Sequence, residues 1–384
     1  MRRKRVEVRE LVFLLLLAAL AVLALYLSRI EVRDVFSPEL RRLVLLAFRY
    51  LREKRYREAI ETYNVLLELK PDYAEGYVNR GNAHFALGEA EKALADYSKA
   101  IALRPDFAEA YNNRGNAYLS LGRLEEALQD LSRACELNPR LSEAFFNRAI
   151  ALAEQGKHRE AVEDLTQCIA LNPSDAEALY YRALLVLRHR GCEELVAQDV
   201  SKALSLRPLD PRLYLLRGTY FFQKGNHDRA LEDFSKVITL QRQNPKAHYL
   251  KGIVLLELGH YEEAVESLSE AIHLDPALFR AYFARGLCFY RKGEYEKALE
   301  DFSAAILLNP AFLRGYAFRA LTYRALGQQE KMEQDVSHLK EQGFPWRVFL
   351  EREGTLQEGC PGEEIGVFDQ LGGDVPVMEY GGAT

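Results

Sequence analysis

The 384-residue chain has one tryptophan, three methionines and five cysteines. The cysteine count is odd, and Cys135, Cys168, Cys192, Cys288 and Cys360 have no disulfide spacing. Cys135, Cys168 and Cys288 stand at helical packing positions and read as small buried apolar residues. Catalytic signatures are also missing: there is no HExxH, CxxC, GxSxG or phosphate loop, and the eight histidines are scattered. His84 replaces a packing aromatic, and His158 and His227 stand where Tyr56, Tyr261 and Tyr295 stand in other stretches. These absences argue against an enzyme, and no cofactor or metal is expected. A basic face is lacking as well. The net charge of −5 is spread along the chain, which argues against nucleic acid as a partner.

What the chain has is repetition. Tyr77–Asp106 lies over Tyr111–Arg140 at an offset of 34 residues, glycine on glycine, alanine on alanine and proline on proline. Nine copies follow at this period. A Gly or Ala recurs at Ala47, Gly81, Gly115, Ala149, Ala183, Gly218, Gly252, Gly286 and Ala320. One step, from Ala183 to Gly218, is 35. We call this small residue place 8 of each copy. Each copy predicts two helices with apolar residues at helical spacing. A turn glycine (Gly88, Gly122, Gly156, Gly225, Gly259, Gly293, Gly327) separates them, and a closing proline ends most copies. The small residue at place 8 lets the two helices approach closely.

This pattern resembles the tetratricopeptide repeat: aromatic at place 4, Gly/Ala at 8, Gly at 15, Ala at 20, aromatic or Leu at 24, Ala at 27 and Pro at 32. The resemblance implies an all-α, right-handed α-solenoid of about nine helix hairpins. Departures are local. Leu66 stands at place 27 of copy one, Met332 at place 20 of copy nine, and Arg replaces the usual Leu at place 7 in most copies.

The organisation then reads as a basic segment over 1–10, an apolar stretch over 11–28, a linker over 29–37, the repeats over 38–346, and an acidic Gly-rich tail over 347–384. The tail's composition predicts disorder. Leu11–Leu27 is uninterrupted apolar sequence, about 25 Å as a helix, at the short end of what crosses a bilayer. An uncleaved single transmembrane anchor is expected; the competing reading is a cleaved signal peptide. Arg2, Arg3, Lys4, Arg5 and Arg9 precede the span, which favours a cytoplasmic N-terminus and extracytoplasmic repeats. The cysteine usage favours the alternative, repeats facing the cytosol. Ser37-Pro38-Glu39 reads as a helix start. The apolar stretch Leu43–Leu51 either covers the end of the stack or rests near the membrane. Trp346 and Phe349 are expected to cap the last apolar face.

Places 7 and 23 lie symmetrically about the turn, so antiparallel helices bring them opposite each other. Seven copies pair Arg with Asp there: Arg80/Asp96, Arg114/Asp130, Arg148/Asp164, Arg182/Asp199, Arg217/Asp233, Arg285/Asp301 and Arg319/Asp335. The two copies without Asp also lack Arg, reading Leu46/Thr62 and Lys251/Ser267. This joint change points to ion pairs within each copy. The rival reading has the Arg column binding ligand.

Function is expected on the first helices, where places 2, 5, 9, 12 and 13 share a face. The resemblance implies that this face lines a groove for peptides. Place 2 changes sign along the chain, from Glu75, Glu109, Glu143 and Glu177 to Arg212, Lys246, Arg280 and Arg314. Asn79, Asn82, Asn112, Asn113, Asn116 and Asn147 accompany the acidic copies. Tyr180, Phe222, Tyr249, Phe283 and Tyr290 accompany the basic ones. The expected groove thus has two chemistries, asparagines for backbone amides and aromatics with cations for apolar side chains and an acidic end. The family's carboxylate clamp is not expected in copies two to four, because Val78, Glu143 and Asn147 replace its cations. The expected role is a membrane-tethered scaffold for extended or helical segments of partner proteins. The alternative is an assembly or import receptor that holds clients transiently.

Overall fold

The computed structural model describes residues 37–189, 193–346 and Phe349. The expected anchor over 11–28, the tail over 347–384 apart from Phe349, Cys192 and Cys360 lie outside the described residues. Among the described residues there are eighteen α-helices and no strand. None of these helices is long and apolar enough to cross a membrane.

The helices pair in chain order. Copy one holds α1 (Pro38–Arg52) and α2 (Tyr56–Leu69); copy two, α3 (Ala74–Ala86) and α4 (Ala90–Leu103). Copy three holds α5 (Ala108–Ser120) and α6 (Leu124–Leu137); copy four, α7 (Ser142–Glu154) and α8 (His158–Leu171). Copy five holds α9 (Ala176–Arg188) and α10 (Glu193–Leu206); copy six, α11 (Pro211–Gln223) and α12 (His227–Leu240). Copy seven holds α13 (Pro245–Glu257) and α14 (Tyr261–Leu274); copy eight, α15 (Phe279–Arg291) and α16 (Tyr295–Leu308). Copy nine holds α17 (Leu313–Ala325) and α18 (Gln329–Glu341).

The chain divides into two compact units, one reaching Ala151 and the other starting at Leu152. In the first unit α1 packs on α2, α3 on α4 and α5 on α6, and each pair leans on the next. The second unit repeats this from α8 to α18. First helices also touch their counterparts directly: α3 with α5 in the first unit, and α9 with α11, α13 with α15 and α15 with α17 in the second.

Two local features set the hairpin geometry. A Cβ built on Gly81 would stand 2.6 Å from the Tyr97 ring, and one on Gly286 would stand 2.7 Å from the Phe302 ring. The small residue at place 8 therefore makes room for the large one at place 24. The turn glycines supply the second feature: Gly88 has φ of 76°, the left-handed value that ends a helix without a side-chain clash. Copy one lacks that glycine, and Lys54 takes φ of 57° in its place.

Tyr63, Tyr97, Leu131 and Phe146 are buried in the first unit, and Phe234, Leu268, Phe283 and Phe302 in the second. Each such side chain contributes about 1.5–3 kcal/mol of burial. Cys135, Cys168 and Cys288 are buried outside any disulfide, as expected; burial pushes Cys288 up to about 12. Ser37 accepts from the Leu40 amide at 3.3 Å with Pro38 at the first helical position, so the helix start is as read. In α1 only Ala47 is buried, while Leu45, Leu46 and Phe48 are exposed. At the other end Trp346 and Phe349 are buried, and the Phe349 ring lies 5.8 Å from that of Trp346 and 5.3 Å from that of Phe318.

Candidate peptide-binding faces

The Arg column at place 7 folds inward onto its own hairpin. Arg80 Nε and Nη2 donate to Asp96 at 2.9 and 2.6 Å, and Arg114 donates to Asp130 at 2.6 and 2.8 Å. In the second unit the same two-pronged geometry joins Arg182 to Asp199, Arg217 to Asp233, Arg285 to Asp301 and Arg319 to Asp335. Arg148 and Asp164 fall in different units. The aromatic at place 4 lies against the same guanidinium, as Tyr77 does on Arg80 at 5.4 Å. These six arginines are engaged within their own hairpins, as the pairing of places 7 and 23 predicts. Burial is the largest influence on Asp301 and raises its carboxyl despite Arg285, whereas the bond to Asp301 is the largest influence on Arg285 and raises it in turn.

A third bond was not legible from places 7 and 23. The free Nη1 of Arg80 donates to Asn64 at 2.7 Å, and that of Arg114 to Ser98 at 3.1 Å. Arg182, Arg285 and Arg319 reach Thr166, Ser269 and Ser303 in the same way. Each acceptor stands at place 25 of the preceding copy, so one arginine ties two hairpins together. A signal existed: place 25 is Ser, Thr or Asn in every copy.

In the first unit the expected asparagines meet one another. Asn147 Nδ2 donates to Asn112 Oδ1 at 2.9 Å, and Asn112 Nδ2 donates to Asn113 Oδ1 at 3.1 Å. Asn113 Nδ2 then donates to Asn82 Oδ1 at 2.9 Å, which also accepts from the Tyr97 hydroxyl at 2.8 Å. The ladder crosses copies two, three and four. Asn112 and Asn147 are buried in it; Asn79, Asn82, Asn113 and Asn116 are half-buried. The expectation that all six present amides to a ligand is corrected: Asn112 and Asn147 are internal rungs, because mutual hydrogen bonds satisfy them away from water.

The second unit carries charge on the corresponding face. Glu177 is buried and accepts from Arg212 Nη1 and Arg207 Nη1, each at 2.6 Å. Arg212 also donates to Asp210 at 2.7 Å and lies over the Tyr180 ring at 5.0 Å. Its side-chain bonds to Asp210 and Glu177 raise Arg212 far above its ordinary value. The expectation of Arg212 as a cation open to an acidic ligand is corrected, because Glu177 and Asp210 already neutralise it. Phe222, Tyr249 and Phe283 are corrected too. All three are buried; Phe283 meets Phe302, Phe312 and Phe318 at 4.9–5.6 Å. Place 5 and place 12 face the neighbouring hairpin there, so these rings pack. Tyr180, Lys246, Arg280, Tyr290 and Arg314 remain half-exposed on the second unit.

His158 and His227 pack on neighbouring rings, while His84 meets a carboxylate. His158 stacks on His189 with ring centroids 3.7 Å apart, His227 meets Phe222 at 5.7 Å, and His84 Nδ1 lies 2.6 Å from Glu89 Oε2. Among the described residues no group of three or more His, Cys, Asp or Glu side chains could hold a metal ion.

Comparison with known proteins agrees with this geometry. Tetratricopeptide-repeat family models match residues 49–88, 81–122, 108–141, 142–175 and 249–317. A model described as anaphase-promoting complex, cyclosome, subunit 3 matches residues 200–271. None of these is an enzyme family. No curated protein shows significant similarity to the chain. Among solved structures the chain is similar to one in the APC/C hetero-tetramer Cut9-Hcn1, at 17% identity and a TM-score of 0.51, over 73% of this chain and 55% of that one. It is also similar to a tetratricopeptide repeat protein from Parabacteroides merdae, at 21% identity and a TM-score of 0.49, over 65% of this chain and 98% of that one. At these identities the likeness is one of fold alone. With the repeat models covering more than half of its length and the hairpins stacked at the matching period, the chain belongs to the tetratricopeptide repeat family.

Proposed function

We propose that the chain is a protein-interaction scaffold that binds segments of partner proteins on the exposed faces of its first helices. The observation that carries this reading is the side-by-side contact of successive first helices, seen in the bonds from Asn113 to Asn82 and from Arg212 to Glu177. Within each unit that contact makes one continuous strip from residues far apart in sequence, which is what an extended segment requires. The match to a model of a complex subunit supports a role in assembling proteins. The apolar stretch 11–28 supports a tether to a membrane, and the basic residues before it support repeats on the extracytoplasmic side.

The test is quantitative binding of a captured partner to the intact chain and to two variants. Asn79→Ala with Asn116→Ala alters the first face, and Arg280→Glu with Arg314→Glu alters the second. None of these four residues belongs to the Arg–Asp clamps. At least one pair is expected to weaken binding tenfold or more at unchanged helicity. Equal affinity for all three proteins would sink the assignment.

A further inference from the structure

The two terminal copies treat their outer faces differently. The last helix, α18, exposes Gln329, Glu330, Lys331, Glu333, Gln334 and Lys340, a polar surface of the kind that ends a repeat stack in water. The first helix does not. Leu45 of α1 is 70% exposed, and Leu46 and Phe48 are exposed beside it. Val65 and Leu69 of α2 are exposed as well, so copy one holds five large exposed apolar side chains. No other copy has more than two among the described residues. The inner face of α1 is already used: Ala47 is buried with Tyr63 and Leu66, and Leu40, Leu43, Val44 and Leu51 pack against them. The helix thus covers the end of the stack and presents a second apolar face outward.

That outer face is also cationic. Arg42, Arg49 and Arg52 are exposed, and none of their guanidinium groups forms an ion pair or hydrogen bond with a described residue. Positions 42, 45, 49 and 52 follow one another by three or four, so these arginines flank Leu45 along one stripe. Of the exposed acids, Glu39 lies in the first turn and Glu53 is engaged by Arg55 at 3.4 Å.

A second copy of the chain fits this surface poorly. Arginine would face arginine across a two-fold contact, and three part-exposed side chains fall short of the roughly 800 Å² per partner of a stable interface. A lipid surface fits it. Guanidinium groups pair with phosphates while the apolar side chains enter the acyl boundary, and a helix lying in the plane keeps its backbone bonds satisfied. Position in the chain agrees. Nine residues, 29–37, join the apolar stretch 11–28 to α1, a reach of at most about 32 Å.

We propose that α1 lies in the plane of an anionic lipid surface, with Leu45, Leu46 and Phe48 among the outer acyl carbons and Arg42, Arg49 and Arg52 on lipid phosphates. The first copy is then docked on the bilayer. This inference deepens the membrane-tether reading, but the face itself is made of described residues alone.

The experiment places a tryptophan at position 45 (Leu45→Trp) in the intact chain and adds vesicles whose acyl chains carry bromine, a contact quencher. The wild-type chain, whose one tryptophan is Trp346, gives the background. With about a third of the lipid as phosphatidylserine, the fluorescence added at position 45 should fall by about half or more. The fall should be several-fold smaller with phosphatidylcholine alone, and in Arg42→Gln with Arg49→Gln and Arg52→Gln at unchanged helicity. Fluorescence at position 45 that bromine leaves unchanged would overturn the proposal. So would equal quenching with and without phosphatidylserine, since the arginines would then have no part in it. A position-45 tryptophan shielded without vesicles, and uncovered on dilution, would overturn it in favour of a second copy. Flotation tests the tether separately. A chain that floats with phosphatidylcholine vesicles but shows no quenching at position 45 keeps the tether and loses α1 docking. Quenching on anionic vesicles without flotation on neutral ones keeps α1 docking and removes the tether.

Discussion

The two units use one repeat to build different faces. In the first, asparagines on successive first helices satisfy each other in a neutral ladder ending on Tyr97. In the second, Glu177 gathers Arg207 and Arg212, and Lys246 stands without a counter-ion among the described residues. The scaffolding beneath is the same, since Arg–Asp clamps of equal geometry recur in both. Hairpin geometry is thus separable from face chemistry. The clamp and the place-8 contact hold the hairpins while the exposed strip varies. The faces should differ in response to salt, because neutral hydrogen bonds are not screened and exposed charge pairs are.

The largest expected effect tests what the units share. Arg114→Ala and Arg285→Ala should each cost about 3–5 kcal/mol in urea denaturation, since a buried aspartate is left unpaired. Arg114 and Asp130 have side chains only 19% and 7% exposed, so screening relieves little of this. Arg324→Ala, at an exposed position outside the clamps, should be close to neutral. Equal losses for all three would remove the clamp from the account.

The next prediction sharpens the contrast. Asn112→Ala should cost about 1–3 kcal/mol, because it strands the Asn147 amide, and the loss should persist in 1 M salt. Glu177→Gln should cost less than about 1 kcal/mol, because Arg207 and Arg212 are 50% and 41% exposed, and the loss should shrink in salt. Matching salt dependence in the two variants would erase the difference between the faces. A further small effect is local to copy one. Lys54→Gly should raise stability by about 1 kcal/mol by relieving the left-handed backbone, visible as a higher melting temperature.

Much of this was legible before any coordinates. The Arg–Asp pairs were readable because the partners change together between copies, as Lys251 and Ser267 do. Ser37, the turn glycines and the capping role of Trp346 and Phe349 were readable because each answers a local need of a helix end or an open apolar face. The misreadings share one cause. Helical spacing within one helix places Phe222, Tyr249 and Phe283 on the exposed strip. Their burial depends on the next hairpin, which spacing along a single helix does not describe. Arg212 was misread likewise, because its partner Glu177 is 35 positions away on another first helix.

Sequence alone determined the hairpin, its period and its internal clamp, because all are set by contacts inside one unit of 34 residues. Tertiary structure decided which polar side chains on the first helices stay available and which are consumed by their neighbours. The reason is physical. A side chain's freedom depends on what the adjacent copy brings within about 3 Å of it. That distance is set by the stacking of helices, not by the order of residues along either one.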